Sequence, residues 1–168
     1  IAPHLTQKGI ATPIGQENAR AEVEKYLMER KEQEIQDKIH HKPKILVVDD
    51  SSTIRKSMEG LLSEDYDISM AESGVAAIRA ITLNRPDLIL LDYEMPVVDG
   101  KQTLEMLRFE KSFAKIPVIF LTGTDDPAIV RELLALKPAG YLLKYLKHAE
   151  IKSKIDAFFE KQRAAGLI

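Results

Sequence analysis

The sequence predicts an α/β fold in which a parallel sheet is covered by helices on both faces. Short apolar runs such as Ile45–Val48 and Asp87–Leu91 are largely continuous rather than alternating, which is typical of strands buried on both sides. Each run is followed by a longer amphipathic segment, and strands that alternate with helices indicate parallel βαβ units. The 168 residues are 45% hydrophobic and 30% charged, a balance typical of a globular domain.

Five strand–helix units follow one another after Pro43. This proline marks a boundary because it disfavours the helical conformation at Lys42, the residue before it. The units occupy residues 43–163, which we predict to be the main domain, and they leave a short tail at 164–168. The predicted strands, each with the helix that follows it, are 45–48 and 53–63, 67–71 and 74–83, 87–91 and 100–111, 116–121 and 127–136, and 141–143 and 149–163.

Residues 1–42 form an N-terminal extension of different composition. This segment carries seven basic and seven acidic residues, and it lacks Gly and Pro from Gln16 to His41, which favours a helix there. Its apolar positions are sparse and do not form a sustained heptad pattern. Two interpretations stay open: a solvated helix with one narrow contact face, or a helix that mediates signalling or a homodimer through residues 16–41.

Charge and composition exclude several classes of protein. The chain has 24 basic and 26 acidic residues, for a net charge of −2, whereas nucleic-acid binders usually carry a strongly basic face. The absence of cysteine excludes disulfide scaffolds, cysteine zinc sites, iron–sulfur clusters and thiol catalysis. No apolar run approaches the roughly 18 residues of a membrane span and no signal peptide is recognisable, so we expect a cytoplasmic protein without membrane or nucleic-acid partners. The start at Ile1 rather than Met is compatible with a fragment of a longer product.

Three acidic side chains come at the carboxyl ends of two predicted strands. Asp49 and Asp50 close the first strand and Asp92 closes the third. Ligands of open α/β sheets bind outside these strand ends, so the carboxylates converge if the two strands are neighbours. Carboxylates that share a site repel one another, and a bound cation relieves the repulsion. An all-oxygen site of this kind suits Mg²⁺, with Mn²⁺ as a substitute; the alternative is that Asp49 and Asp50 only cap the next helix.

Two further strand ends carry groups that bind phosphate. Thr122 follows the fourth apolar run and Lys144 follows the fifth, and a hydroxyl and an ammonium group can both hold phosphate oxygens. Gly123 leaves room for a group to approach the backbone. Taken singly, Thr122 is an ordinary strand terminus and Lys144 an ordinary loop lysine. Together with three acids, they are the parts needed to transfer a phosphoryl group to an aspartate.

Four stretches of the sequence occur in the order and at the spacing of a known family. They resemble the receiver domain of two-component response regulators, of the kind represented by chemotaxis regulators. The resemblance extends from Pro43 to the region of Gln162 and includes no part of residues 1–42. The matching stretches are Ile45-Leu46-Val47-Val48-Asp49-Asp50-Ser51, Leu90-Leu91-Asp92-Tyr93-Glu94-Met95-Pro96 with Asp99-Gly100, Phe120-Leu121-Thr122-Gly123, and Gly140-Tyr141-Leu142-Leu143-Lys144.

The resemblance implies a fold and a chemistry. The fold would be a doubly wound five-stranded parallel sheet of strand order 2-1-3-4-5 with five helices. Asp92 would be the phosphoacceptor, attacking phosphorus carried by a phosphohistidine on a histidine kinase or a histidine phosphotransfer protein. Asp49 and Asp50 would hold Mg²⁺ with Asp92, and the backbone carbonyl of Glu94 would complete the protein ligands.

The resemblance also implies a switch. Lys144 would pair with Asp92 and then with the phosphoryl group, while Thr122 would bond a phosphoryl oxygen and draw its loop inward. Tyr141 would follow by turning from an exposed to a buried rotamer, so that a local charge change moves a bistable surface. That surface, built from residues 127–136, 141–143 and 149–163, would meet a downstream output protein or domain. Such a domain catalyses only its own phosphorylation and dephosphorylation.

Two positions depart from the family pattern. Tyr145 follows Lys144, where the family usually has a proline joined by a cis peptide. Because a cis bond before a residue other than proline costs about 3–4 kcal/mol, we expect a trans peptide and a re-aimed loop. Lys137-Pro138 replaces a Gly-Ala pair that often ends the helix before the fifth strand. Proline can stop that helix but stiffens it, so we expect the output face to differ from the usual one.

Two other functions compete with that of a phosphorylatable receiver. The main alternative is a protein-binding module that keeps the scaffold and works without phosphorylation. A phosphatase of the DxD type needs a second acid two residues after the nucleophile, which Asp92-Tyr93-Glu94 imitates only loosely. The presence of all five key residue types favours the receiver.

Overall fold

The computed structural model describes residues 13–40 and 42–168. They fall into two compact units, one within Ile1–His41 and the other at Lys42–Ile168. The described part of the first unit is helix α1 at Pro13–His40. It begins earlier than the predicted position 16 because a proline is well tolerated in the first turn of a helix. Residues 1–12 and His41 of the predicted extension lie outside the described residues.

The second unit is a five-stranded sheet of strand order β2-β1-β3-β4-β5. Every neighbouring pair of strands is parallel, which confirms the predicted fold. The elements are β1 at Lys44–Val48, α2 at Ser52–Leu62, β2 at Asp67–Ala71, α3 at Gly74–Leu83, β3 at Leu88–Leu91, α4 at Gly100–Phe109, β4 at Val118–Thr122, α5 at Pro127–Ala135, β5 at Gly140–Leu143 and α6 at His148–Ala164.

The core of this unit consists of two apolar layers, one on each face of the sheet. Helices α3, α4 and α5 bury side chains such as Ile81, Leu104 and Leu133 on one face. Helices α2 and α6 cover the other face with side chains that include Leu62 and Phe159. The strands between them are fully buried at β1, β3 and β4 apart from Lys44. Their continuous apolar runs therefore reflect burial on both sides.

The predicted boundaries differ from the observed ones by one or two residues, for local reasons. Strand β4 begins at Val118 rather than 116, because the amide of Ile116 closes a turn onto the carbonyl of Phe113 and Pro117 has no N–H to donate. Strand β3 begins after Asp87, whose carboxylate accepts a hydrogen bond from the amide of Lys44. Side-chain and turn contacts of this kind leave no trace in hydrophobic periodicity.

The two departures from the family pattern have clear conformations. Every peptide bond among the described residues is trans, which confirms the expectation for Lys144–Tyr145. Helix α5 ends at Ala135, and Lys137 adopts a left-handed conformation with φ of 55°. Its amide donates to the carbonyl of Leu134. The helix thus stops through a left-handed residue in front of Pro138, which is a common way to end a helix.

Candidate functional site

The three predicted acids meet at the carboxyl edge of the sheet. Because β1 and β3 are neighbours, the residues that follow them lie side by side. Asp49 is 2% exposed and Asp92 is 3% exposed, whereas Asp50 is exposed. One carboxylate oxygen from each of the three lies within 4.8 Å of the others. The sequence therefore placed this cluster correctly, and its oxygens form a site in which a hard divalent cation fits.

Backbone contacts fix the two buried acids. The amide of Asp49 donates to the carbonyl of Ala71, and the amide of Asp92 donates to that of Val48, so both residues continue the ladder of the sheet. The carboxylate of Asp49 accepts a hydrogen bond from the amide of Ser51 at 2.9 Å. Ser51 in turn caps α2 by accepting a bond from the amide of Ile54. Asp49 is thus held in the turn that leads into α2, while Ser51 rather than an aspartate serves as the helix cap.

Lys144 bridges both buried carboxylates. Its Nζ lies 2.6 Å from Oδ2 of Asp49 and 3.0 Å from Oδ2 of Asp92. The amide of Lys144 donates to the carbonyl of Thr122, which anchors the lysine at the end of β5 beside β4. The sequence predicted the contact with Asp92, but the shorter contact with Asp49 became visible only in three dimensions.

The electrostatics of the site reflect this crowding. Burial, followed by the charge of Asp49, raises the pKa of Asp92, and hydrogen bonds from Lys144 and Thr122 only partly offset them. Burial acts to lower the pKa of Lys144, but hydrogen bonds to Asp49 and Asp92 outweigh it, and the pKa is raised. The lysine therefore stays protonated, and one cation serves two carboxylates.

Thr122 and Tyr141 are linked through the loop that follows β4. Thr122 is fully buried, its hydroxyl acts to lower the pKa of Asp92, and it accepts a hydrogen bond from the amide of Thr124. The Tyr141 hydroxyl donates to the carbonyl of Thr124. Its ring is half-buried and lies 6.4 Å from the ring of Phe120. The path from Asp92 to Tyr141 therefore runs through Thr122 at the end of β4 and Thr124 in the loop after it.

Glu94 contributes through its backbone. Its side chain is exposed, while its amide lies 3.4 Å from Oδ1 of Asp92. This contact folds the chain after β3 around the carboxylate. The role predicted for the Glu94 carbonyl stays a prediction.

Sequence reasoning missed the functions of Gly100 and Arg55. A Cβ atom at Gly100 would lie 2.2 Å from the backbone oxygen of Asp92, so only glycine permits this approach of α4 to the site. The pair Asp99-Gly100 did mark the start of this helix in the sequence, since Asp99 caps α4 with a capping box. Arg55 donates a hydrogen bond to the carbonyl of Asp49 at 2.7 Å. The spacing of these two residues in the sequence did not predict that contact.

Comparisons with known proteins agree with this geometry. Residues 45–156 match the model of the response regulator receiver domain family. The chain is 35% identical over 124 residues to the transcriptional regulatory protein PrrA of Mycobacterium tuberculosis, covering 71% of this chain and 51% of that protein. It is 28% identical over 164 residues to hybrid signal transduction histidine kinase D of Dictyostelium discoideum, covering 98% of this chain and 11% of that protein. The chain therefore spans about half or less of the length of these relatives.

Solved structures show the same likeness. The signal receiver domain of a signal transduction histidine kinase from Syntrophus aciditrophicus is 31% identical, with a TM-score of 0.65, and the match covers 71% of this chain and 91% of that one. Chemotaxis protein CheY4 of Vibrio cholerae is 26% identical, with a TM-score of 0.66, over 70% of this chain and 99% of that one. Among the residues that the structure describes, no helix is long and apolar enough to cross a membrane. The chain belongs to the response regulator receiver domain family, whose members are signalling domains of two-component systems.

Proposed function

We propose that Asp92 accepts a phosphoryl group from a phosphohistidine on a histidine kinase or a histidine phosphotransfer protein. The observation that carries the proposal is the position of this carboxylate: it is buried, it contacts the Lys144 ammonium group at 3.0 Å, and the Thr122 hydroxyl acts to lower its pKa. A nucleophile, a cation and a hydrogen-bond donor thus surround one point at the edge of the sheet. Phosphoryl transfer depends mainly on positioning and charge stabilisation of this kind.

The donor set supports a divalent metal as part of the reaction. Three carboxylates in reach of one another offer hard oxygen ligands, which suit Mg²⁺ and also Mn²⁺. Asp49, Asp50 and Asp92 would hold the ion, with the backbone carbonyl of Glu94 as a further ligand. When bound, it would neutralise charge between the carboxylates and the oxygens of the phosphoryl group.

The remaining steps belong to side chains of this chain. A carboxylate oxygen of Asp92 attacks phosphorus as the bond from phosphorus to the donor nitrogen breaks, and the electron pair of that bond stays on the nitrogen. Lys144 stabilises the negative charge on the phosphoryl oxygens, because its pKa is raised and its ammonium group already lies beside Asp92. Thr122 donates a hydrogen bond to one of those oxygens.

The switch follows from the contacts of Thr122. A phosphoryl group on Asp92 gives the Thr122 hydroxyl a new acceptor, and the loop after β4 moves with it. Since the Thr124 carbonyl in that loop holds the Tyr141 hydroxyl, the tyrosine responds to the phosphorylation state of Asp92. The face formed by α5, β5 and α6 would then bind an output protein or domain.

A second proposal concerns self-association through residues 16–41. The large apolar side chains of α1 that the structure describes are exposed: Val23, Tyr26, Leu27, Met28 and Ile35. Pairing with a second copy would remove these apolar side chains from water and so stabilise the helix. We expect Leu27→Glu to lower the solution mass of the full chain at high concentration. An unchanged mass would contradict self-association through this segment.

Incubation with phosphoramidate, a small phosphodonor, tests the main proposal. With Mg²⁺ present, we expect the intact mass to rise by one phosphoryl group, and we expect no rise for Asp92→Asn. Asp67→Asn is the matched control, because Asp67 is an exposed acid at the opposite end of its strand from the site. A protein without any mass gain would support the alternative, a binding module that works without phosphorylation.

A further inference from the structure

Arg55 holds the turn that carries two of the three acids. Its Nη1 atom donates a hydrogen bond of 2.7 Å to the backbone carbonyl of Asp49, and the residue is half-buried. That carbonyl belongs to the peptide unit that joins Asp49 to Asp50. Because a hydrogen bond from a charged donor is short and strong, the guanidinium group fixes the plane of the peptide between two neighbouring carboxylates.

The three acids differ in how their carboxylates are held. Lys144 contacts Asp49 at 2.6 Å and Asp92 at 3.0 Å, so one side chain fixes both buried carboxylates. Asp50 is exposed, and its carboxylate makes no hydrogen bond or ion pair with the part of the chain that the structure describes. The direction of the Asp50 carboxylate therefore depends on the backbone around it.

Two contacts fix the backbone on either side of Asp50. The amide of Ser51 donates to the carboxylate of Asp49 at 2.9 Å, and Arg55 donates to the carbonyl of Asp49. Ser51 is also the cap of α2, so its replacement would disturb the helix. Of these two contacts, the Arg55 bond is the one that a substitution removes while the acids and the cap stay intact.

We propose that Arg55 is a positioning residue for the divalent cation, because it directs the Asp50 carboxylate towards Asp49 and Asp92. This inference rests on the proposed metal-dependent phosphorylation of Asp92. One oxygen from each of the three acids lies within 4.8 Å of the others, and ordering an exposed side chain at such a place costs entropy. A fixed peptide plane lowers that cost before the ion binds. Contacts that orient metal ligands in this way raise the affinity for the metal.

The positive charge of Arg55 has the opposite effect, since it repels a divalent cation. A control must therefore separate orientation from charge. Lys56 is the next residue of α2, is exposed and carries the same charge. Lys56→Met thus removes one positive charge and leaves the bond to the Asp49 carbonyl in place.

Titration of the full chain with Mn²⁺, followed by the electron paramagnetic resonance of the free ion, measures the affinity directly. We expect Arg55→Met to raise the Kd about tenfold, the low end of the range for residues that orient metal ligands. Arg55→Lys keeps the charge but loses the planar donor, so we expect a rise of about threefold. Lys56→Met should leave the Kd unchanged or lower it slightly. With phosphoramidate, Arg55→Met should need about tenfold more Mg²⁺ for its half-maximal rate, while the maximal rate is unchanged.

A double-mutant cycle tests whether Arg55 acts through Asp50. In an Asp50→Asn background, Arg55→Met should weaken Mn²⁺ binding much less than it does in the wild type, because the ligand that it orients is already lost. Equal fold losses in the two backgrounds would overturn the inference, and so would a Kd at or below the wild-type value in either Arg55 variant. In those cases the metal site itself would stand. A wild-type protein that binds no Mn²⁺ would overturn the proposed metal site and this inference with it.

Discussion

Val97, a residue of the loop that leads from Asp92 to α4, holds an unfavourable backbone conformation. Its φ is +69°, a region that β-branched residues rarely adopt, and the amide of Val98 closes a tight turn onto the carbonyl of Pro96. The side chain is 97% exposed, so it gains no burial in return. We expect Val97→Asn to raise the free energy of unfolding by about 0.5–1 kcal/mol, because asparagine tolerates this region better. Chemical denaturation measures the change; a loss of stability would mean that the valine side chain is needed here.

Asp92 itself illustrates how a buried carboxylate reduces stability. Burial and then Asp49 raise its pKa, so the folded chain holds the proton more tightly than the unfolded chain. The contribution of Asp92 to stability therefore falls as pH rises from the unfolded pKa, about 3.9, through the raised folded value. In metal-free buffer we expect Asp92→Asn to melt at a higher temperature than the wild type at pH 7, with a difference that shrinks towards pH 4. A lower melting temperature at pH 7 would refute this view of the site.

Two helical glycines differ in what a side chain at their position would do. At one, a side chain would clash with the backbone beside Asp92; at the other, it would only raise the helix propensity. A Cβ at Gly100, the first residue of α4, would overlap the Asp92 backbone, whereas a Cβ at Gly60 in α2 would meet nothing within 4 Å. We expect Gly100→Ala to destabilise the domain by about 1–3 kcal/mol, as overpacking usually does, and to slow phosphorylation. Gly60→Ala should instead stabilise it by roughly 0.5–1 kcal/mol through helix propensity. Thermal melts of both variants check the pair; equal effects would show that the contact at Gly100 relaxes freely.

A cluster of polar side chains, far from Asp92, links helix α6 to the segment before β2. The Tyr66 hydroxyl donates to Asp156, and Lys152 bonds both Asp156 and Asp65. Because Tyr66 is buried against Phe159, we expect Tyr66→Phe to cost about 1 kcal/mol of stability. Tyr26→Phe, at an exposed tyrosine of α1, should cost nothing measurable. Phosphorylation from phosphoramidate should be unchanged in both, and a slower rate in Tyr66→Phe would contradict a purely structural role.

The elements were the most predictable part of the molecule, because hydrophobic period is a local property. Continuous apolar runs identified β1 and β3 and therefore the edge where Asp49 and Asp92 meet. The contact between Lys144 and Asp49 was not predictable, since it depends on where β5 lies relative to β1. The contact of Arg55 with the Asp49 carbonyl is local, six residues apart along the chain, but it depends on a side-chain conformation that hydrophobic period does not report. Secondary-structure elements depend on neighbouring residues and can be inferred from the sequence. Side-chain contacts between elements that are distant along the chain cannot.

At the scale of the whole molecule, the small net charge conceals an uneven distribution. Residues 1–42 carry seven charges of each sign, so the excess of acid belongs to the residues from Pro43 onwards. Three acids of this part, Asp49, Asp50 and Asp92, lie together at one edge of the sheet, and Lys144 contacts two of them. Under the proposed function, this edge would attract a divalent cation and a phosphoryl group together, with Asp92 at its centre.

The most direct test of this account locates the phosphoryl group in the unaltered protein. After incubation with phosphoramidate and Mg²⁺, borohydride reduces an acyl phosphate on aspartate to homoserine, and peptide mass spectrometry identifies the position. We predict homoserine at position 92 and unmodified aspartate at positions 49 and 50. Homoserine at another position, or unmodified Asp92 in a protein that has gained a phosphoryl group, would contradict the assignment of Asp92 as the phosphoacceptor.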